Sequence, residues 1–152
     1  MKNIKLGFAC DHRGYKLKEK LVDYFKKQDY IASIIDCGTD SDISCDYPDY
    51  ALKLGKLLQD KEIDYGIAIC GSGIGISIAL NKMKGVYCAK VNNALEARYT
   101  RVDNNTNAVS FSGDTNYDEA KKIVDIFINT EFSNLEKHIR RIDKVKKIEA
   151  GL

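Results

Sequence analysis

The chain has no tryptophan, a single proline (Pro48) and only two histidines among its 152 residues. It also carries little net charge, because 24 Lys and Arg against 22 Asp and Glu leave a formal charge of +2. This near balance excludes the global basic field of many nucleic-acid- or membrane-binding proteins, so any anion binding must be local. No apolar run approaches membrane-spanning length. We therefore expect neither nucleic acid nor a membrane among the partners of this protein.

Cysteine is present but lacks the spacing of a metal site. The chain has five cysteines, an odd number, and no C-x-x-C pair. Reduced thiols in a cytoplasmic protein without a bound metal are the natural interpretation. The first ten residues contain Lys2 and Lys5 and lack the apolar centre of a signal peptide, which agrees with a cytoplasmic location.

The pattern of apolar residues predicts an α/β fold in one domain, residues 1–152. A length of 152 residues with 44% hydrophobic content is enough for one sizeable core. Short apolar runs alternate with helical periodicity, which is typical of βαβ units and a mostly parallel sheet. Five strands are expected at 4–10, 30–37, 64–70, 85–90 and 108–112. Helices are expected at 15–27, 48–58, from the glycine-rich turn to 82, and at 93–101, 117–127 and 135–148, the last with an apolar stripe.

The most informative segment is the strand end and turn from Ile69 to Gly75, with sequence Ile-Cys-Gly-Ser-Gly-Ile-Gly. Glycines at this point let backbone N–H groups approach a guest oxygen, and the following helix N-terminus favours an anion. A thiol at Cys70 would then lie beside an anion-binding turn, where it could act as a base. The segment matches neither the dinucleotide fingerprint nor the phosphate-loop motif. Taken alone, the segment fits a purely structural turn or generic anion binding as well as it fits a catalytic site.

Other polar residues follow the remaining strands. Asp11 and His12 follow the first strand, and Asp46 and Tyr47 follow the second after a polar loop. Because the carboxyl ends of parallel strands meet at one edge of the sheet, these side chains are expected to share a crevice with Cys70. Taken singly, His12 is more typical of a satisfied loop histidine, and Asp46 of a helix cap ahead of Pro48.

Four segments together resemble the sugar-phosphate isomerase family that includes ribose-5-phosphate isomerase B and the galactose-6-phosphate isomerase subunits. They are Cys10–Gly14, Asp46–Ala51, Ile69–Gly75 and His138–Ile142, and the resemblance covers essentially the whole chain. It implies a Rossmann-like α/β/α sandwich with an extended C-terminal helix and no cofactor or metal. It also implies a homodimer or dimer of dimers whose active sites are shared between subunits. The implied reaction is an aldose–ketose isomerisation of ribose 5-phosphate and ribulose 5-phosphate, a pentose phosphate pathway step, through a cis-enediolate.

The same resemblance implies roles for individual residues. Cys70 matches the catalytic base, and the turn that holds the enediolate oxygen comprises Gly71, Ser72, Gly73, Ile74 and Gly75. Asp11 and His12 match groups that bind the sugar, with His12 also a candidate for ring opening. The remaining substrate-binding positions implied by the match are Asp46, Tyr47, Asn104, Lys137 and Arg141.

The chain departs from the family pattern at three positions. Asp103 stands where the family has the histidine that opens the sugar ring, and a carboxylate is mostly ionised at neutral pH. Asp114 stands where an arginine is usual, and Lys137 keeps the charge of an arginine without its bidentate fork. We expect other basic residues to compensate, with Arg13, Arg101, His138 and Arg140 as the candidates.

Three alternatives remain at this point. Loss of the histidine at 103 fits a galactose-6-phosphate isomerase subunit that shares its site with an unlike chain. A non-catalytic sugar-phosphate or nucleotide sensor would use the same crevice, although it would not need the thiol of Cys70. The third alternative is a redox role for Cys70 with Cys10, if the first and third strands are neighbours.

Overall fold

A computed structural model of the chain describes residues 2–152. Its centre is a sheet of five parallel strands, in the order β2-β1-β3-β5-β4. The strands are β1 (Ile4–Cys10), β2 (Ile31–Asp36), β3 (Tyr65–Cys70), β4 (Cys88–Lys90) and β5 (Ala108–Ser112). The predicted α/β architecture with a parallel five-stranded sheet is confirmed.

Helices follow each strand and cover both faces of the sheet. They are α1 (Tyr15–Phe25), α2 (Tyr47–Gln59), α3 (Ile74–Asn81), α4 (Ala94–Asn104), α5 (Tyr117–Asn129) and α6 (Glu136–Glu149). Because every strand runs in the same direction, the loops after the strands gather at the carboxyl edge of the sheet. The loops that lead into the strands gather at the opposite, amino edge.

The two faces of the sheet are packed differently. One face carries large side chains, such as Phe8 and Phe111, and packs against α1 and α5. The other face is built partly from glycine and alanine, so that α2 can approach closely: a Cβ on Gly7 would lie 2.9 Å from a methyl carbon of Leu54. Cys70 belongs to this second face. Its position brings the thiol to the side of the sheet where α2 and α3 begin.

Two boundaries near the fourth strand differ from the sequence prediction. β4 begins at Cys88 rather than at 85, because the amide of Tyr87 donates to the side chain of Asn107 instead of a neighbouring strand. α4 continues to Asn104 and ends where Asn105 adopts a left-handed conformation with φ 49°. Asp103 and Asn104 therefore lie on the last turn of a helix.

The C-terminal helix α6 forms as predicted, but its apolar stripe is not covered. Val145 and Ile148 are 48% and 73% exposed, and Leu135 and Ile139 are also largely exposed. Its one buried side chain is His138. Its first turn lies beside the end of α4, and Glu149 accepts hydrogen bonds from Gly85 and Tyr87 ahead of β4. α6 therefore runs along the amino edge of the sheet.

Candidate active site

Cys70 ends β3, and its sulfur lies against the glycine-rich turn. The backbone N–H of Gly73 donates to the Cys70 sulfur at 3.2 Å, and the side chain is 4% exposed. Gly73 adopts φ 78°, and a Cβ there would lie 2.6 Å from the backbone of Phe111. Only glycine fits this position without strain. The turn therefore presents a main-chain donor to the thiol at the start of α3, as the sequence predicts.

The neighbouring strand holds the turn through its carbonyl groups. The hydroxyls of Ser110 and Ser112 on β5 donate to the carbonyls of Gly73 and Gly71, both at 2.7 Å. The turn's amides of Gly71, Ser72 and Gly75 have no acceptor within residues 2–152. With the carbonyls bonded to β5, these donors remain for an oxyanion. Neither serine is predicted from the sequence, because two serines at alternate positions of one strand form no recognisable motif.

His12 and Asp11 lie at the same carboxyl edge, after β1. The backbone N–H of Cys45 donates to Nδ1 of His12 at 3.2 Å, so the proton of the neutral ring is on Nε2. Asp11 is 6% exposed, and one of its carboxylate oxygens accepts from the amides of Arg13 and Gly14 at 2.9 and 3.2 Å. That oxygen caps the turn into α1. His12 is therefore fixed by the 37–46 loop, and Asp11 by its own turn.

Tyr47 begins α2 and packs on the glycine-rich turn. A Cβ on Gly75 would lie 2.7 Å from the Tyr47 ring, so the absence of a side chain at 75 makes room for the phenol. Asp46 occupies the N-cap position of α2, but its side chain makes no capping hydrogen bond. The alternative interpretation of Asp46 therefore holds for its position but not for its carboxylate, which does not cap the helix. Its exposed carboxylate is free for another partner.

Arg13 is the candidate compensating cation that reaches this edge. Its guanidinium covers Gly71, where an added Cβ would lie 2.7 Å from Nη1, and Nη2 lies 3.5 Å from the carboxylate of Asp114. Arg101 is buried instead, and its guanidinium donates to Thr130, Thr106 and Asn105 and lies over the Tyr65 ring. Arg140 is exposed and pairs with Glu136.

Four predicted site residues lie away from Cys70 within this chain. Asp103 and Asn104 end α4, a helix that starts at the carboxyl end of β4 and finishes at the amino end of β5. Lys137 and Arg141 lie on the exposed surface of α6, beside them. The predicted set thus falls into two groups: a carboxyl-edge group around Cys70, and an amino-edge group of Asp103, Asn104, Lys137 and Arg141.

A histidine, His138, lies next to the amino-edge group and contacts Asp103. His138 Nε2 lies 3.5 Å from the carboxylate of Asp103, and its Nδ1 lies 2.8 Å from the hydroxyl of Ser133. The side chain of His138 is buried. Asp103, which replaces a histidine of the family pattern, is therefore paired with a histidine from α6. Sequence spacing gave no sign of this contact, because the two residues lie on different helices.

The five cysteines are free thiols, and Cys10 does not pair with Cys70. Although β1 and β3 are neighbours, Cys10 packs on the α1 and α5 face and Cys70 on the opposite one. Burial raises the pKa of Cys10 to about 12, and burial likewise raises the pKa of Cys37 to about 11. The strands are neighbours, as a redox pair would require, but the two thiols lie on opposite faces of the sheet, which removes the basis for that pair.

Within residues 2–152, no helix is both long and apolar enough to cross a membrane, and no three His, Cys, Asp or Glu side chains lie close enough to hold a metal ion. A cavity of about 1080 Å³ opens at the amino edge, lined among others by Tyr87, Asn104 and Lys146. It contains neither a thiol nor a histidine, so acid–base chemistry points to the Cys70 crevice instead.

Comparison with known proteins agrees with this geometry. Residues 6–145 match the family described as Ribose/Galactose Isomerase. The chain is 35% identical to ribose-5-phosphate isomerase B of Escherichia coli over 146 residues, which cover 95% of this chain and 96% of that protein. The structure of ribose-5-phosphate isomerase B from Clostridium thermocellum superposes with a TM-score of 0.93 at 39% identity, covering 97% and 99% of the two chains. That of Mycoplasma genitalium, with bound ribulose-5-phosphate, gives 0.90 at 33% identity and full coverage of both chains.

Proposed function

The chain belongs to the ribose/galactose isomerase family, and we propose that it interconverts ribose 5-phosphate and ribulose 5-phosphate. The observation that carries the proposal is the Cys70 sulfur at the end of β3, with the Gly73 amide donating to it at 3.2 Å. A pure sugar-phosphate binder has no use for a thiol at this position. The relative with bound ribulose-5-phosphate has the same fold over the full length of this chain.

The reaction moves a proton between C2 and C1 of the open-chain sugar. Cys70, as thiolate, removes the C2 proton, and the electron pair moves onto the carbonyl oxygen to give a cis-enediolate. Its negative oxygen is held by the unpaired amides of Gly71, Ser72 and Gly75. The O2–H proton then passes to the neighbouring O1, and return of the proton from Cys70 to C1 gives the ketose. No cofactor is needed, because the sugar is rearranged without a net change of oxidation state.

The other carboxyl-edge residues bind the sugar. His12 presents an Nε2–H donor, since its Nδ1 is occupied by the amide of Cys45. The other oxygen of Asp11, which does not accept from the amides of Arg13 and Gly14, completes the hydroxyl-binding groups together with the Asp46 carboxylate and the Tyr47 phenol. The 3.5 Å contact between Asp103 and His138 supports these two residues as the ring-opening unit, with Asp103 orienting the imidazole.

A second copy of the chain completes this site in our proposal. The amino-edge group lies across the sheet from Cys70, so Asn104, Lys137 and Arg141 reach a substrate there only from another protomer. Exposed apolar side chains provide surface for such an interface: Ile74 and Ile78 on α3 are 53% and 55% exposed, beside Leu52 on α2. A two-fold axis that covers this surface sets each carboxyl edge against the partner's amino edge. We therefore propose a homodimer with two shared sites.

Isomerase activity is tested with purified protein and two sugar phosphates as substrates. We expect ribose 5-phosphate to be converted to ribulose 5-phosphate, as followed by absorbance or NMR, and galactose 6-phosphate to be converted far more slowly if at all. Equal or greater turnover of galactose 6-phosphate would favour the hexose alternative. Thermal stabilisation by ribose 5-phosphate without turnover of any sugar would favour the sensor.

Shared sites are tested by mixing two impaired variants and measuring activity at a ribose 5-phosphate concentration well below KM. Cys70→Ala and Arg141→Ala protomers, dissociated and reassociated together in equal amounts, should recover about a quarter of wild-type activity, because half of the dimers are mixed and one site in each is intact. The matched control mixes Cys70→Ala with His12→Ala. Both changes lie in the same carboxyl-edge group, so no mixed dimer contains an intact site. Equal recovery in the two mixtures would contradict the shared-site dimer.

A further inference from the structure

We infer that the guanidinium of Arg13 binds the phosphate of the substrate, in the crevice of the same protomer as Cys70. The inference rests on the proposed function and deepens it, because the departures at Asp114 and Lys137 leave open which cations hold the phosphate. Arg13 is separated from Asp11 by His12 alone. Its position at the carboxyl edge therefore follows directly from the end of β1.

The backbone of Arg13 is held on two sides. Its N–H donates to the Asp11 carboxylate at 2.9 Å. Its carbonyl oxygen lies so close to Gly113 that a Cβ there would come within 2.2 Å of it. The loops after β1 and β5 thus meet at this residue. The start of its side chain is fixed, although the side chain itself is 57% exposed.

The guanidinium lies on the turn that carries the chemistry. An added Cβ on Gly71 would be 2.7 Å from Nη1 and 3.2 Å from Nε of Arg13, so the glycine leaves room for the flat guanidinium group. Gly71 directly follows Cys70 in the chain. A phosphate bound by Arg13 would thus lie beside the crevice, with the sugar extending toward the sulfur.

The present partner of Arg13 is one that a phosphate can replace. Asp114 lies 3.5 Å from Nη2 and is 80% exposed, and exposed ion pairs of this kind contribute little. A phosphate offers two oxygens in the geometry of the guanidinium fork, as well as a higher charge. Lys18, a buried lysine of α1, is already paired with Asp36 at 2.8 Å. Of these two described cations, Arg13 is therefore the one that remains available to a phosphate at this turn.

The test compares Arg13→Gln and Arg13→Lys with the wild type, using both the substrate and inorganic phosphate as probes. For Arg13→Gln we expect KM for ribose 5-phosphate and Kd for inorganic phosphate each to rise by about tenfold or more, with kcat changed less than about threefold. Arg13→Lys should fall between the two, because lysine keeps the charge but cannot donate in a bidentate manner. Lys122→Gln, which removes one exposed charge from α5, is the matched control and should change neither constant.

Two results would overturn the inference: wild-type KM and phosphate Kd in Arg13→Gln, or a loss confined to kcat. Phosphate affinity, measured by thermal shift, does not require turnover. If the protein fails to isomerise ribose 5-phosphate but Arg13→Gln still weakens phosphate binding, the proposed function fails and the phosphate site stands. If the wild type is active and the Kd for phosphate is the same in Arg13→Gln, the proposed function stands and the phosphate site at Arg13 fails.

Discussion

The two edges of the sheet differ in how complete they are within one chain. At the carboxyl edge, Cys70 and His12 each accept a main-chain N–H bond, from Gly73 and from Cys45, so this half of the candidate site is preorganised. At the amino edge, Lys137 and Arg141 are exposed on a helix whose apolar stripe is uncovered. In our proposal, a single chain provides the base and the oxyanion site, and a partner chain provides the ring-opening and remaining phosphate-binding groups.

The contrast predicts different kinetic consequences at the two edges. Changes to Cys70 or to the amides of the glycine-rich turn should reduce the rate of the chemical step, since they act on the reacting atoms. Changes to Lys137 or Arg141 at the amino edge should weaken substrate binding and should be complemented by a partner. Three substitutions test this contrast, in order of decreasing expected effect, and a pH dependence follows.

Cys70→Ala should reduce kcat by about 10³-fold or more, equivalent to roughly 4 kcal/mol of transition-state stabilisation. The variant removes the proposed base and leaves the amides in place. Cys37→Ala is the matched control, because it removes a thiol from the same edge that is hydrogen-bonded to the carbonyl of Phe8. Steady-state kinetics on both variants measure the difference. Full activity of Cys70→Ala would refute the assigned base.

Gly73→Ala should lower the free energy of unfolding by about 3 kcal/mol, because the new Cβ meets both a positive φ and the backbone of Phe111. Gly85→Ala provides the comparison at the amino edge. Gly85 has nearly the same φ, 77°, but no atom within 4 Å of an added Cβ, so the cost should be about 1 kcal/mol. Urea unfolding of both variants gives the two values. Equal losses would show that the glycine-rich turn is not held tightly by β5.

Arg141→Ala should raise KM for ribose 5-phosphate by about tenfold, roughly 1.4 kcal/mol, while kcat falls less. The removed guanidinium is proposed to bind phosphate in the partner's site and does not touch the reacting carbons. Arg140→Ala is the control, since the neighbouring arginine is paired with Glu136. A loss in kcat alone would show that Arg141 acts in the chemical step and not in substrate binding.

The last prediction concerns the pH dependence of stability, through the thiol on the other face of the carboxyl edge. Burial raises the pKa of Cys10 to about 12 from an ordinary value of 9.0. The unfolded thiol therefore ionises first, and the free energy of unfolding should fall as pH rises from 9.0 toward 12, by at most about 1.4 kcal/mol per pH unit. Below that range this thiol makes no pH-dependent contribution. Cys10→Ala should show a shallower fall between about pH 8 and about pH 10.5 in urea unfolding. An unchanged slope would contradict the assignment.

Much of the fold and of the carboxyl-edge group follows from the sequence. Alternation of apolar runs with helical periodicity sets the strands, and parallel strands place Asp11, His12, Tyr47 and Cys70 at one edge. The contacts that depend on packing do not follow in the same way. The pair of Asp103 and His138 joins two helices, and the start of β4 is set by a side chain, that of Asn107. No local pattern encodes such contacts.

The amino-edge residues were predicted only through the family resemblance, for a physical reason. Composition and periodicity describe how one chain folds upon itself, whereas the proposed role of Arg141 belongs to an assembly. The uncovered stripe of α6 is visible in sequence as an amphipathic pattern, but that pattern also fits a helix packed against its own core. The structure distinguishes the two cases, because it leaves Val145 and Ile148 exposed.

The serine hydroxyls of β5 have a consequence for engineering. Since Ser110 and Ser112 bond the carbonyls of Gly73 and Gly71, the reactive loop is a joint product of two strands distant in sequence. Grafting the segment from Ile69 to Gly75 into another parallel sheet would transfer its amino-acid sequence without the two serine hydroxyls that hold its backbone. A transplant that aims to keep the amide orientation has to carry both hydroxyls as well.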